Sequence, residues 1–338
     1  MRICQVLAGN EDGGLEKHTI ELSKQLVNKG FDVTVIAHKD FEQYFENINF
    51  IALDLTKSRN NLIILLKLIR ILKKEQFDII HTQANKATSM ITKIKFFLDS
   101  KIVSTLHNLK KNLKAFEKSD YIITVSDAIG KKIKSNKKTT IYNGIAFDNS
   151  ENLISDISSK YNIRNKFIIC SVARLTKVKR FELIIEAIKD LDVHFILVGS
   201  GTEENNLKSL AQKLNIKEKV TFTGNLENKD VKKIISSSSL FVMSSDNEGF
   251  PYTFVETMFC KTPFISTPVS DMEKLLGSKY TINFSNIEEL SKKIEYVKDN
   301  YEEVKIDFEK KFEFAENKFT IDNMVNETIG VYNKVYKI

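Results

Sequence analysis

Residues 240–269 read LFVMSSDNEGFPYTFVETMFCKTPFISTPV. Four apolar residues, Leu240 to Met243, give way to a polar loop at Ser244 to Asn247. An apolar and aromatic run from Tyr252 to Phe259 follows, long enough for two helical turns, and a second short apolar run begins at Phe264. Strand, loop, helix and strand in this order make a βαβ unit, whose crossover puts both strands in one parallel sheet.

The same alternation fills the chain on either side. Before the stretch come KFIICSVAR, HFILVGSG and KVTFTGN, separated by helical patterns. The first half repeats the theme with RICQVLAG, FDVTVIA, FDIIHT, KIVSTLH, YIITVS and TTIYNG, between them the amphipathic GLEKHTIELSKQLVNKG and NLIILLKLIRILKKEQ. Short β-branched runs alternating with helices imply a doubly wound, parallel α/β architecture. One polar stretch, SENLISDISSKYNIRNK, interrupts it and reads as a linker. The expected organisation is an N-terminal Rossmann-like domain over 1–149, a linker over 150–166, a second Rossmann-like domain over 167–319 and a C-terminal helix over 320–338 that packs back toward the first domain. A length of 338 residues suits two domains at about 150 residues each.

In such sheets ligands bind beyond the carboxyl ends of the strands. Gly9, Gly13, Gly14, Gly199, Gly201, Gly224 and Gly249 all follow expected strands, where they serve either tight turns or close approach to a ligand. Gly13-Gly14-Leu15-Glu16 opens a helix after the first strand, so its backbone N–H groups can face an anion. Arg174 and Lys179 follow the first strand of the second half, as two cations suited to a diphosphate. Glu248 and Glu256 stand eight positions apart, one on a loop and one a turn into a helix, placed to accept hydrogen bonds from hydroxyl groups. His107 and His81 end expected strands, and each reads either as a site residue or as a packing histidine.

Other chemistries are excluded by what is missing. The nearest approach to G-x-G-x-x-G is Gly199-Ser200-Gly201-Thr202-Glu203-Glu204, without its third glycine, and there is no G-x-x-x-x-G-K-[ST]. These absences disfavour a nicotinamide dehydrogenase and a P-loop nucleotidase. Asp190-Leu191-Asp192 has the D-x-D form of a metal site but precedes its strand, so no metal is expected. Cys4, Cys170 and Cys260, odd in number and far apart, read as buried free thiols. No apolar run approaches a membrane span, and the N-terminus lacks signal-peptide form, so a cytoplasmic location is expected.

Charge is uneven. Residues 57–118 hold 14 basic and 4 acidic side chains, a local field compatible with an anionic membrane surface, plain solvation or nucleic acid. With no nucleic-acid-binding pattern visible, nucleic acid ranks last. Peripheral contact with the anionic inner face of a membrane is expected through this segment, above all Asn61 to Lys74.

The Glu248-to-Glu256 segment, ARLTKVKRFELIIEAIK, ILVGSGTEENNLKSLAQKL, VTFTGNLENKDV, IYNGI and GGLEKH together resemble the retaining glycosyltransferases of family four, densely from Ile141 to Thr267 and more sparsely before. The resemblance implies the two-domain GT-B fold with a cleft between the domains. It implies transfer of a sugar, from a nucleotide-sugar donor with a UDP-sugar expected, to a glycan or lipid-linked acceptor in bacterial surface-polysaccharide synthesis, without metal or other cofactor. By the same resemblance Gly14 lends its backbone to the diphosphate, Arg174 and Lys179 neutralise it, and Glu256 holds the ribose. Glu248 contacts the donor sugar, His107 lies near the reacting sugar, and Gly249, Phe250, Pro251, Tyr252 and Thr253 line the donor site. The sequence departs from the family after PFISTPV, where Ser270 and Asp271 replace a usual glycine pair, although Glu273 stands where the acidic residue belongs. Two other classes fit the composition: a GT-B-fold binding protein without catalysis, and a basic nucleic-acid binder. The intact set of Arg174, Lys179, Glu248 and Glu256 argues for the enzyme.

Overall fold

A computed structural model describes residues 1–10, 13–109, 112–147, 156–164, 167–283 and 286–337. The chain divides into two compact units, Met1–Gly144 with Phe319–Ile338, and Ile145–Lys318. Part of the expected linker lies outside the described residues. Its described part, 156–164, carries a short helix, Ile157–Lys160, capped by the Asp156 side chain.

The first unit is a seven-stranded parallel sheet of β1 (Arg2–Leu7), β2 (Asp32–Ala37), β3 (Asn49–Ala52), β4 (Ile79–Gln83), β5 (Lys101–Leu106), β6 (Tyr121–Thr124) and β7 (Lys138–Thr140), in the order β3-β2-β1-β4-β5-β6-β7. The second is a five-stranded parallel sheet of β8 (Ile168–Val172), β9 (His194–Val198), β10 (Val220–Gly224), β11 (Leu240–Met243) and β12 (Phe264–Ser266), in the order β10-β9-β8-β11-β12. Both are Rossmann-like. Strand order reverses between β1 and β4 in one and between β8 and β11 in the other, and these switch points are where an α/β sheet opens a crevice for a ligand.

Helices cover both faces of each parallel sheet, which is why the strands are mostly apolar, with Gln5, His81 and Gln83 among the buried polar exceptions. Ile3, Val33 and Val35 pack on one face with Leu22 and Leu26 of the helix Gly14–Asn28 and with Met324, Val325 and Tyr332 of the last helix, Ile321–Tyr336. Cys4, Val6, Ile80 and Ile102 pack on the other, under Leu68 and Leu72 of the helix Leu62–Glu75 and Met90 and Ile91 of the helix Ala84–Lys93. Asn61 caps the first of these two helices through a bond from the Ile64 amide, and Gln76 ends it with φ +51. All three cysteines are buried. Burial pushes the thiols of Cys170 and Cys260 up to about 12, so they stay protonated and inert.

Two elements carry little sequence signal. β3 is an edge strand with no buried residue, and the helix Ala84–Lys93 is rich in Thr, Ser and Lys and begins at an alanine with φ +62.

The helix Leu62–Glu75, where membrane contact is expected, is part of the core and part of the surface. It is a crossover helix with Ile64, Leu65, Leu68 and Leu72 buried, yet Leu62, Ile63 and Leu66 are 73%, 67% and 54% exposed beside exposed Lys67, Arg70, Lys73 and Lys74. Phe96 (93% exposed) and Phe97 follow the helix Ala84–Lys93, which shares the same core cluster. The basic segment therefore places apolar and cationic side chains together on one outer layer of the first unit.

Candidate active site

At the β8–β11 switch point of the second unit, two loops are sewn together. Ser244 Oγ donates to the Lys179 carbonyl at 2.7 Å and the Asp246 amide donates to the Val178 carbonyl at 2.8 Å. Arg180, held at φ +53, reaches Glu182 at 2.5 Å and Asp246 at 3.1 Å. This stitching brings Lys179 Nζ to 2.6 Å from Glu248 Oε1, a pair whose side chains are only 23% and 12% exposed. Lys179, Ser171, Ala173, Ser244, Ser245 and Thr253 line one small cavity there.

Arg174 lies exposed on the loop after β8. That loop is fixed by its neighbour: the Ala173 amide bonds the Val198 carbonyl, the Leu175 amide bonds the Ser200 carbonyl and the Glu203 amide bonds the Leu175 carbonyl. The glycines of Gly199-Ser200-Gly201 serve this contact. A Cβ at Gly199 would stand 2.1 Å from the Ala173 carbonyl oxygen and one at Gly201 2.3 Å from that of Leu175, so both glycines answer to a neighbouring backbone.

Glu256 is buried on the second turn of the helix Tyr252–Phe259. Gly249 and Pro251 are buried in the loop that leads into that helix, and Tyr252 and Thr253 form its first turn. Phe250 is also buried, its ring 5.9 Å from that of Phe254, which packs in turn on Phe264 at 5.2 Å, so the aromatic residues of the segment anchor it to the sheet. Ser270 Oγ donates to the Gly249 carbonyl. Ser270 has φ +54, in the left-handed region that favours glycine, which gives a physical reason for the glycine it replaces. Glu273 is exposed and Asp271 buried. Asp190 and Asp192 sit exposed at the amino end of β9, opposite the strand-end loops. Among the described residues no cluster of three or more His, Cys, Asp or Glu side chains is arranged around a metal position.

At the β1–β4 switch point of the first unit the strand ends carry a buried polar network. His107 follows β5 and donates from Nε2 to Gln83 Oε1 at 2.8 Å. Its ring meets that of His18 edge-on at 4.7 Å, and His18 Nδ1 bonds Asn143 Oδ1 at 3.2 Å. Asn143 belongs to IYNGI, whose Gly144 lets the chain pass Thr320: a Cβ there would lie 2.1 Å from the Thr320 carbonyl oxygen. His81 is a core residue, fully buried, with Nδ1 2.6 Å from the Tyr332 hydroxyl and Nε2 2.7 Å from Thr105 Oγ1. Burial lowers His18 to about 4 and His81 to about 3 and holds His107 well below its usual value, with charge on neighbouring imidazoles adding to the effect at His81 and His107. All three rings are therefore neutral near pH 7. Gly14 begins the helix Gly14–Asn28 exposed, so its amide is one of the unsatisfied donors of a helix start. An open cavity of about 500 Å³, lined by Lys73, Asp78, Lys101 and Tyr336, lies at the amino ends of β4 and β5, the end of the sheet where ligands of this architecture do not sit.

Sequence reading did not single out Gln5, Gln83, His18, Asn143, Tyr332, Ser244, Arg180 or Asp246. For Gln5 and Gln83 a signal existed: a glutamine inside an aliphatic parallel strand must be buried and hydrogen-bonded.

Two parallel-sheet units, one with a neutral histidine and glutamine network at its switch point and the other with a Lys–Glu pair at its own, make up a GT-B protein. Anabaena Alr3699/HepE, solved in complex with UDP-glucose, superposes with a TM-score of 0.84 at 19% identity over 100% of both chains. The chain belongs to the family-four type of glycosyltransferase: residues 12–149 match the glycosyltransferase family 4 model and residues 154–313 match the glycosyl transferases group 1 model. It is 26% identical to the O-antigen biosynthesis glycosyltransferase WclY of Escherichia coli, across 100% of this chain and 99% of that one. It is 24% identical to the lipopolysaccharide core biosynthesis glycosyltransferase LpsE of Rhizobium meliloti, across 76% of each.

Proposed function

We propose that the chain moves a sugar from a nucleotide sugar, a UDP-sugar, to a glycan or lipid-linked glycan of a bacterial surface polysaccharide, with retention of configuration and without a metal ion. The observation that carries this reading is the Lys179–Glu248 pair, held by two stitched loops at the β8–β11 switch point with Glu256 buried nearby in sequence. The names of WclY and LpsE, and the UDP-glucose in Alr3699/HepE, support the donor and the pathway class.

In this reading Arg174 and Lys179 meet the diphosphate, Glu256 the ribose and Glu248 the transferred sugar, with Gly249 to Thr253 along the donor. Gly14 and His107, on the first unit, take their roles from the family resemblance: an amide for the diphosphate and an imidazole for the sugar. The bond from the acceptor oxygen to the anomeric carbon forms as the bond to the phosphate oxygen breaks. Negative charge grows on the departing diphosphate, and fixed cations and backbone dipoles that meet it there lower the barrier. Lys179 is aimed before donor arrives because Glu248 already holds it, which limits the reorganisation left for the reaction.

The two carboxylates are expected to separate in calorimetry with UDP. Glu256→Gln weakens UDP binding, whereas Glu248→Gln spares it and damages turnover. The opposite order refutes the division of roles.

The first unit, in the same proposal, docks on an anionic bilayer through the layer that carries Leu62, Ile63, Leu66, Phe96, Lys67, Arg70 and Lys73. Each basic residue near an anionic surface contributes about 1 kcal/mol, and the exposed apolar side chains enter the headgroup boundary. No described helix is long and apolar enough to cross a membrane. Co-sedimentation is expected with phosphatidylglycerol vesicles and not with phosphatidylcholine vesicles, weakened by salt and by charge reversal at Lys67, Arg70 and Lys73. Protein that stays in the supernatant with anionic vesicles at low salt ends the membrane reading.

A further inference from the structure

The polar network of the first unit is a chain with a direction. Tyr332 of the last helix stands between His81 and Gln5: its hydroxyl lies 2.6 Å from His81 Nδ1 and accepts from Gln5 Nε2 at 3.1 Å. Gln5 Oε1 accepts from Gln83 Nε2 at 2.9 Å, and Gln83 Oε1 faces His107 Nε2 at 2.8 Å. Gln5 and Gln83 are at most 1% exposed, and His81 and Tyr332 are fully buried. A carboxamide has one donor end and one acceptor end, so the polarity of one link is imposed on the next. With Gln83 Nε2 committed to Gln5, Gln83 Oε1 can only accept, and His107 Nε2 must carry the proton. Among the described residues no hydrogen bond is made to His107 Nδ1.

We propose that Gln83 is a positioning residue, which locks the neutral His107 ring as the Nε2–H tautomer and so keeps Nδ1 as an acceptor for a sugar hydroxyl. This rests on the reading of His107 as a group that meets the sugar. Tyr332 holds the far end, its hydroxyl accepting from Gln5 Nε2 beside His81 Nδ1, so the last helix, though remote in sequence, supports a proton position at the end of β5. Low basicity of the ring supports the lock, because a protonated His107 has no acceptor to offer.

The tautomer is read directly from long-range ¹H–¹⁵N spectra of the imidazole side chains at pH 7, with His107→Asn identifying the His107 signals. The wild-type protein is expected to show one tautomer, protonated on Nε2. Gln83→Met, similar in size without hydrogen-bonding ends, is expected to mix the tautomers and lower kcat about tenfold with little change in donor KM. Tyr332→Phe is expected to mix them as well, and serves if the Gln83 variant does not fold. A wild-type ring protonated on Nδ1, or a tautomer unchanged in a folded Gln83→Met or Tyr332→Phe protein, overturns the proposal. Undiminished turnover in His107→Ala, with the tautomer as expected, instead removes the sugar-facing role of His107 and leaves the lock standing.

Discussion

Lys179→Ala is expected to lower kcat/KM by about 100- to 1000-fold in a protein that remains folded, the effect of losing about 3 to 4 kcal/mol of charge-assisted transition-state stabilisation. Two losses combine. The ammonium that meets the growing charge of the diphosphate is gone, and Glu248, only 12% exposed and 2.6 Å from Lys179 in the intact protein, is left without that partner. A carboxylate left so near the diphosphate opposes it directly. Arg174→Ala, exposed and on a loop whose backbone is fixed by its neighbour, is expected to lose activity at the lower end, about 30-fold. The stranded charge makes a second outcome specific to this geometry: Lys179→Ala combined with Glu248→Gln should lose less than the product of the two single effects. Steady-state kinetics on the four proteins decides the matter. Near wild-type turnover in Lys179→Ala, or strict multiplicativity, contradicts the pair's assigned role.

The largest stability effect is expected at Gly199. Alanine there has to occupy φ +123 and place a methyl carbon 2.1 Å from the Ala173 carbonyl oxygen, in the backbone that leads to Arg174. Strain of this kind costs about 1 to 3 kcal/mol before the clash is relieved. With relief, the total reaches about 3 kcal/mol or more, which lowers the melting temperature of a unit this size by about 6 to 12 °C. Gly224 provides the internal comparison, since it has φ +68 but nothing within 4 Å of an added Cβ. Gly224→Ala is expected to cost only the left-handed conformation, about 1 to 2 kcal/mol. Calorimetry that finds the two substitutions equal removes the argument that the glycines of Gly199-Ser200-Gly201 exist for loop-to-loop contact.

What could be read in the sequence was whatever depends on local pattern. Unbroken β-branched runs revealed nearly every strand, because parallel strands covered on both faces leave no polar alternation to confuse them. β3 escaped although Phe50 to Leu53 is an apolar run, because the run is short and neither β-branched throughout nor directly followed by a helical pattern. Lys179 and Glu248 were each found, but their contact was not: 69 positions separate them, and the hydrogen bonds from Ser244 and Asp246 that bring them together follow from folding. The glycines after β9, read as serving either a tight turn or a ligand, stand directly against the neighbouring backbone, a contact only three dimensions reveal. His81 likewise ends in a closed set of protein partners, one of them Tyr332 from 251 positions away. At Ser270 the sequence showed a departure, and the structure supplies its meaning, a left-handed residue fastened to Gly249.

In the proposed function the loops joined by Lys179 and Glu248 act on a nucleotide sugar. Release of UDP from a panel of UDP-sugars, followed by ³¹P NMR in excess EDTA, is the decisive measurement. UDP should appear from at least one donor, through slow transfer to water in the absence of acceptor, and Lys179→Ala should suppress it by about two orders of magnitude or more. No release from any donor, release that stops with EDTA and returns with manganese, or release unchanged in Lys179→Ala contradicts the account.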